Sequence, residues 1–187
     1  TEDIRKEYGI ALGDFVFAFV GNVSVNKNQI QVARTWGLLS DDLRPKCKVL
    51  FVGKYKDDDE LVQYIRDNHL ENNLILCGMQ PKDRVPAFYQ ACDATILTSI
   101  TEGFGLSIIE GFVTFADLPA TRDLFDEKAM VAVRNRIDTS LANAMASVIT
   151  TSFDDTYITS YAQRFSFDHM KEKYRELYKN TESQIWK

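Results

Sequence analysis

The stretch Phe15-Val-Phe-Ala-Phe-Val20-Gly21 is an apolar run that ends in a glycine. Two later runs have the same form, because residues 48–52 are followed by Gly53 and residues 74–77 by Gly78. Short apolar runs of this kind are typical of strands that are buried on both faces of a sheet. The three runs therefore predict three buried strands, each followed by a glycine.

Segments with helical spacing of apolar residues alternate with these runs. They predict helices over residues 28–39, 58–68 and 82–91, and a fourth strand over residues 94–97. Further along, residues 130–133 predict a strand, and residues 139–149 and 168–178 predict helices. Alternating strands and helices imply right-handed crossovers and a parallel sheet. We predict an α/β fold, a Rossmann-like open parallel sheet with helices on both faces, and one domain over residues 1–187.

The three glycines mark one edge of the predicted sheet. In open parallel sheets the ligand lies outside the carboxyl ends of the strands, and Gly21, Gly53 and Gly78 fall at those ends. Glycine lets a ligand approach the backbone closely, but it also serves ordinary turns. Three glycines at equivalent positions favour a ligand-binding edge, whereas any one of them alone fits a turn.

The composition restricts the possible partners. The net charge is −5 and the isoelectric point is about 5.1, which argues against a protein that clamps nucleic acid or an anionic membrane. The longest apolar run is far shorter than the roughly 20 residues that span a bilayer, so we expect a soluble, cytoplasmic chain. Cys47, Cys77 and Cys92 form no CxxC pair, which indicates core thiols in a reducing compartment.

The most informative stretch is Thr98-Ser-Ile-Thr-Glu102-Gly-Phe-Gly-Leu-Ser-Ile-Ile-Glu110. It follows a predicted buried strand and leads into a predicted helix, whose free N–H groups and partial positive charge suit a phosphate. Glu102 would then lie beside a sugar attached to that phosphate, and Glu110 within reach of a ribose. An acidic pair on a solvated helix start is the alternative. The backbone donors predicted for a diphosphate are Gly103, Phe104, Gly105 and Leu106.

These two glutamates, with seven residues between them, resemble the signature of group 1 retaining glycosyltransferases, the glycogen-synthase-like enzymes of GT-B fold. The surrounding sequence is similar to that family as well. Leu76-Cys-Gly-Met79 and the stretch 85–97, with its Tyr89 and Asp93, resemble two consecutive family segments, and Phe19 to Lys27 resembles the opening strand and loop. The resemblance covers nearly the whole chain, as the C-terminal, donor-binding lobe of a GT-B architecture.

The resemblance implies a site for a nucleotide-diphospho-sugar. Lys27 would neutralise the diphosphate and stabilise the leaving nucleotide, Glu102 would contact the transferred sugar and Glu110 the ribose. Taken alone, Lys27 also fits an ordinary surface lysine. Asn22 stands where the family often has an arginine, whose bidentate geometry an amide cannot reproduce. Further donor-binding positions are Gly21, Asn22, Gly78 and Met79.

The remaining expectations concern cofactors, partners and chain continuity. No metal or other cofactor is implied, and His69 and His169 lack ligand-spaced partners. An acceptor glycan or lipid would bind mostly to an N-terminal lobe outside this chain, through which the parent protein could associate peripherally with a membrane. In the family that the sequence resembles, the second glutamate opens a helix that leads into the next strand. Since the segment after Glu110 is too short for a helix, a turn and a strand, we predict that residues are missing between Val113 and Thr114, and a genuine deletion is the alternative.

Three other functions compete with that of a glycosyltransferase. A nucleotide-sugar 2-epimerase shares the two-lobed architecture, but it would usually place basic and histidine residues around the diphosphate. A non-catalytic Rossmann-like binding module cannot be separated from an enzyme by fold alone. A nicotinamide-dependent dehydrogenase is disfavoured, because no GxGxxG follows the first predicted strand.

Overall fold

The structure is a computed structural model, which describes residues 2–102, 113–116, 122, 124–133 and 135–185. Its centre is a six-stranded sheet of order β3-β2-β1-β4-β5-β6, in which every neighbouring pair is parallel. This order is that of a doubly wound Rossmann-like domain. The predicted fold class is confirmed. The strands are β1 Phe15–Val20, β2 Cys47–Val52, β3 Leu74–Gly78, β4 Ala94–Leu97, β5 Val113–Ala116 and β6 Val131–Val133.

The described helices connect and cover these strands. Two short 3-10 segments, Trp36–Leu38 and Arg44–Lys46, precede β2. We number the described α-helices in chain order as α1 Glu2–Glu7, α2 Gln29–Thr35, α3 Glu60–Asp67, α4 Val85–Ala91, α5 Asp138–Thr150, α6 Asp155–Gln163 and α7 Phe167–Ile185.

Alternation along β1 divides the core between the two faces of the sheet. Phe17 and Phe19 are fully buried and belong to a cluster with residues of α2, α3 and α5. Val16 belongs to a second cluster, which includes Ile4 of α1 and Phe88 of α4. Because successive side chains of a strand point to opposite faces, helices lie on both faces, as predicted. Burying a phenylalanine contributes about 1.5–3 kcal/mol.

The helix α1 is fastened to the sheet by one arginine. Arg5 donates hydrogen bonds to the Ala91 carbonyl at 2.8 Å, to the Asp14 carbonyl at 3.0 Å and to Asp93 Oδ2 at 2.8 Å. The same Asp93 oxygen accepts the Val16 N–H at 2.7 Å. The aspartate that precedes β4 therefore has a structural role, since it joins α1 to the starts of two neighbouring strands.

The main differences from the sequence-based predictions concern the helices and β5. The helix predicted over residues 28–39 ends as α-helix at Thr35 and continues as a 3-10 turn that contains Gly37. The helix predicted from residue 82 begins at Val85, because Pro86 suits the first turn of a helix and not its interior. Val113 and Thr114 lie together in β5, and the missing residues expected between them stay a prediction. The helices α1 and α6 were not predicted.

Candidate functional site

The strand order creates a switch point between β1 and β4. These strands are neighbours, but the chain passes from β1 to β2 on one side and from β4 to β5 on the other. The loops that follow β1 and β4 therefore lead away from each other and leave a crevice at the carboxyl edge, which is where doubly wound domains bind ligands. Lys27 lies on the first loop and Glu102 on the second.

The two residues predicted to be catalytic are in direct contact at this point. Lys27 Nζ lies 2.6 Å from Glu102 Oε1, and both side chains are largely buried. The Ser99 hydroxyl donates a second hydrogen bond to the same oxygen, also at 2.6 Å. Since Ser99 is fully buried, the carboxylate is fixed from the protein side by a hydroxyl and an ammonium group. The structure thus places a cation and an oriented carboxylate together in the crevice.

The glycines at the strand ends pack against each other. Gly21 donates its N–H to the Val52 carbonyl at 2.8 Å, and Gly53 donates to the Gly78 carbonyl at 2.9 Å. A Cβ atom on Gly53 would lie 2.3 Å from the Gly21 carbonyl oxygen. Gly53 is therefore required for the close packing of the two loop backbones, a role that was not predicted from the sequence. The donor-binding roles of Gly21 and Gly78 stay predictions.

Two amide side chains shape the loop after β1. Asn22 Oδ1 accepts the Lys54 N–H at 2.9 Å, so this side chain links the loops that follow β1 and β2. Gln29 is 1% exposed, accepts the Ser24 N–H and donates to the Asn22 carbonyl at 3.0 Å. The role of Gln29 was missed, because a glutamine at a helix start has no sequence signature that distinguishes it from a solvated one.

A third amide, Asn26, connects the loop of Lys27 to the loop of Glu102. Its side chain donates to the Thr101 carbonyl at 3.0 Å and accepts the Thr101 N–H at 3.1 Å. It also accepts the Thr101 hydroxyl, and its own carbonyl accepts the Ile100 N–H at 2.7 Å. Sequence reasoning missed this residue as well, since its partners are about seventy-five positions away along the chain.

Additional contacts hold the same two loops. The Thr98 hydroxyl lies 3.0 Å from the Lys27 carbonyl oxygen and 2.8 Å from that of Asn28. Asn28 has φ 55° and ψ 37°, a left-handed conformation that asparagine tolerates better than most residues. From the other side, Arg136 donates to the Ile100 carbonyl at 2.9 Å. The contacts to residues 98–101 therefore come from both the loop after β1 and the loop after β6.

The remaining predicted positions fall into two groups. Met79 follows β3 and is 75% exposed, and its neighbour Gln80 donates to the Cys77 carbonyl and accepts from Arg84 at 2.8 Å. The second group comprises Gly103, Phe104, Gly105, Leu106 and Glu110. These residues lie outside the part of the chain that the structure describes, so the roles predicted for them stay predictions.

The three cysteines are free thiols. Burial raises the pKa of Cys47, Cys77 and Cys92 from 9.0 to about 12. A thiol with such a pKa is protonated near neutral pH and is a poor nucleophile and metal ligand. Within the part of the chain that the structure describes, no group of three or more His, Cys, Asp or Glu side chains is arranged to hold a metal ion.

The fold and the charged pair at its switch point define a doubly wound α/β domain of the ligand-binding class. Residues 1–114, more than half of the 187, match the model of a family described as glycosyl transferases group 1. The chain belongs to this family. The resemblance noted in the sequence is confirmed, and the match favours a transferase over the 2-epimerase alternative.

Curated relatives of this chain are bacterial glycosyltransferases of greater length. The O-antigen chain mannosyltransferase B of Escherichia coli is 23% identical over 94% of this chain, which spans 48% of that protein. The D-inositol 3-phosphate glycosyltransferase of Nocardia farcinica is 30% identical over 57% of this chain and 25% of its own length. The chain therefore spans at most about half the length of these relatives.

Solved structures of glycosyltransferases share the fold of this chain. The structure of Anabaena Alr3699/HepE in complex with UDP has a TM-score of 0.79 and 23% identity, and covers 96% of this chain and 52% of its own. A glycosyltransferase from Rickettsia africae also has a TM-score of 0.79, at 18% identity over 96% of this chain and 51% of its own.

In the described part of this chain, no helix is long and apolar enough to cross a membrane.

Proposed function

We propose that this chain is the donor-binding domain of a retaining glycosyltransferase and that it binds a nucleotide-diphospho-sugar in the crevice between β1 and β4. The observation that carries the proposal is the 2.6 Å contact between Lys27 and Glu102 at the switch point. Family membership and the names of the relatives support the same reaction class.

In the proposed reaction Lys27 acts on the leaving group. When the bond between the anomeric carbon and the diphosphate breaks, negative charge develops on the diphosphate, and a fixed ammonium group nearby stabilises that charge. Glu102, held by Ser99, would contact the sugar that is transferred. The reaction needs no metal in this proposal, because Lys27 and the backbone N–H groups of residues 103–106 would supply the positive potential.

The acceptor would bind mainly to a part of the parent protein that this chain does not contain. Named relatives act on glycans and on lipid-linked sugars, as in the diphosphoundecaprenol galactosyltransferase of Escherichia coli, so we propose a glycan or lipid-linked acceptor. Such an acceptor would bring a cytoplasmic parent protein to the membrane surface. Because the second lobe would exclude water from the site, the isolated chain should bind the donor weakly and transfer sugar slowly or not at all.

Calorimetric titration with UDP, GDP and ADP tests the proposal. UDP is the first ligand to try, because a structure of the same fold is a complex with UDP. We expect one diphosphate to bind and Lys27→Ala and Glu110→Ala to weaken it at least tenfold, about 1.4 kcal/mol each. Lys46→Ala is the matched control, because Lys46 lies directly before β2 at the opposite edge of the sheet. A folded chain that binds none of the three would overturn the donor-site proposal.

A further inference from the structure

We propose that Asn26 is a positioning residue, which holds the loop of Lys27 against the loop of Glu102 and thereby sets the contact between these two side chains. The importance of that contact rests on the proposed function, since both residues would meet the same donor molecule. Asn26 itself would touch neither the donor nor the acceptor.

The switch point makes such a residue necessary. The pairing of β1 with β4 comprises Phe17 with Ala94 and Ala18 with Thr95, which leaves the loops beyond them without regular strand pairing. Their crossovers run in opposite directions, to β2 and to β5. Two side chains carried by diverging loops keep a fixed separation only if other bonds cross the crevice.

Asn26 forms four of these hydrogen bonds, and the Thr98 hydroxyl, which lies 3.0 Å from the Lys27 carbonyl oxygen, adds to them. The side-chain amide of Asn26 offers one acceptor and one donor group, and these match the N–H and the carbonyl of Thr101 at 3.1 and 3.0 Å. The Thr101 hydroxyl adds a bond of 2.7 Å to the same acceptor. The main chain contributes the bond from the Ile100 N–H to the Asn26 carbonyl, which any residue at position 26 could accept. Three of the four hydrogen bonds thus depend on the asparagine side chain.

The positions of Asn26 and Thr101 in the sequence explain how their hydrogen bonds affect the site. Asn26 directly precedes Lys27, and Thr101 directly precedes Glu102. A displacement of Asn26 would therefore displace Lys27, and a displacement of Thr101 would displace Glu102, because only one peptide unit separates the members of each pair. A donor would bind its diphosphate at one loop and its sugar at the other, and loops that are not joined would have to be ordered on binding.

Substitution of Asn26 separates this role from a general effect on stability. We expect Asn26→Ala to weaken UDP binding about tenfold, although it removes no charge. Asn26→Asp keeps the acceptor for the Thr101 N–H and hydroxyl, so it should recover part of the affinity. Asn73→Ala is the matched control, because Asn73 donates to the Arg44 and Cys47 carbonyls at the amino edge of the sheet. It should lower the urea midpoint and leave UDP affinity unchanged.

A second measurement needs no ligand. The free energy of unfolding of Lys27→Met, Glu102→Gln and the double variant gives the coupling between the two side chains. We expect Lys27 and Glu102 to be coupled when residue 26 is asparagine, and we expect this coupling to be lost when the same variants are made in the Asn26→Ala chain. Unchanged coupling there, or UDP affinity equal to that of the unsubstituted chain, would overturn the proposal for Asn26. If no diphosphate binds, the proposed function fails, and the coupling still decides the role of Asn26.

Discussion

At the residue scale, Gly53 shows how closely the loops of the carboxyl edge are packed. Its φ of 155° is rarely adopted by residues with a side chain. The space that a Cβ would need is occupied by backbone atoms of Gly21 and Asn22, which cannot rotate away as a side chain could. Position 53 therefore needs glycine for two reasons, the positive φ of its backbone and the close approach of the two loops.

We predict that Gly53→Ala lowers the free energy of unfolding by at least about 3 kcal/mol, because backbone strain and overpacking add at this position. Urea unfolding followed by circular dichroism measures the change. Gly37→Ala is the control, since a Cβ at Gly37 would have open space within 4 Å and the φ of this glycine is not positive. Its midpoint should stay close to that of the unsubstituted chain. Equal midpoints for the two variants would contradict the prediction.

The residues of the candidate site were predictable to different degrees. Lys27 and Glu102 carry charges within a recognisable motif, and the structure brings them together. Asn26 and Gln29 act through hydrogen bonds whose partners depend on tertiary structure, and Gln29 is buried although its residue type is mostly exposed. Local sequence does not specify such contacts, because a polar side chain in a loop has many possible partners.

At the element scale, the attachment of α1 depends on the hydrogen bonds of Arg5 as well as on the burial of Ile4. A helix of six residues is too short to be stable alone. The guanidinium group reaches three acceptors on two segments, one before β1 and one before β4, with a side chain that is 20% exposed. Lysine could satisfy only part of this arrangement, because its single ammonium cannot reproduce the planar array of donors.

We therefore predict that Arg5→Lys destabilises the chain by about 1.5–3 kcal/mol, the range for hydrogen bonds to charged groups. The measurement is again the urea midpoint. Arg34→Lys serves for comparison, since Arg34 forms an exposed ion pair with Glu60, and such pairs contribute between about 0 and 1 kcal/mol. If both variants lost the same stability, Arg5 would be no more than another surface charge.

The elements themselves were easier to predict when their apolar pattern was continuous. The strands β1 to β4 have the expected positions to within one residue at each end. The strand β5 was missed, because Val113–Ala116 is short and follows a stretch that the motif predicted to be helical. The helix α6 is capped by Asp154, which directly precedes it and whose side chain accepts the Thr156 and Tyr157 N–H groups. The weak apolar periodicity of α6 obscured this cap signal.

At the scale of the whole molecule, burial of weak acids determines the response to alkaline pH. Burial raises the pKa of Tyr8 from 10.0 to about 12, as it raises the pKa values of the three cysteines. The folded chain therefore favours the neutral forms more strongly than the unfolded chain does. This contribution to stability is fully present below the unfolded pKa values and is lost as the pH rises from about 9 towards 12.

We predict that the urea midpoint falls progressively above about pH 9, because the unfolded chain then releases protons that the folded chain retains. Midpoints measured at intervals between neutral pH and pH 11 test this expectation. The variant Cys92→Ala removes one buried thiol and should make the alkaline decline shallower. A decline of the same slope in both chains would show that Cys92 does not contribute to it.

The strand order also has a consequence for the chain while it is being synthesised. β1 ends at Val20, but β4, which covers one of its two edges, begins only at Ala94. A nascent chain therefore exposes one edge of an aromatic, apolar strand until more than seventy further residues have left the ribosome. Unpaired edges of this kind can recruit strands from other chains. A strand that is central in the finished sheet is thus exposed to aggregation in the nascent protein, and the arrival of β4 ends that exposure.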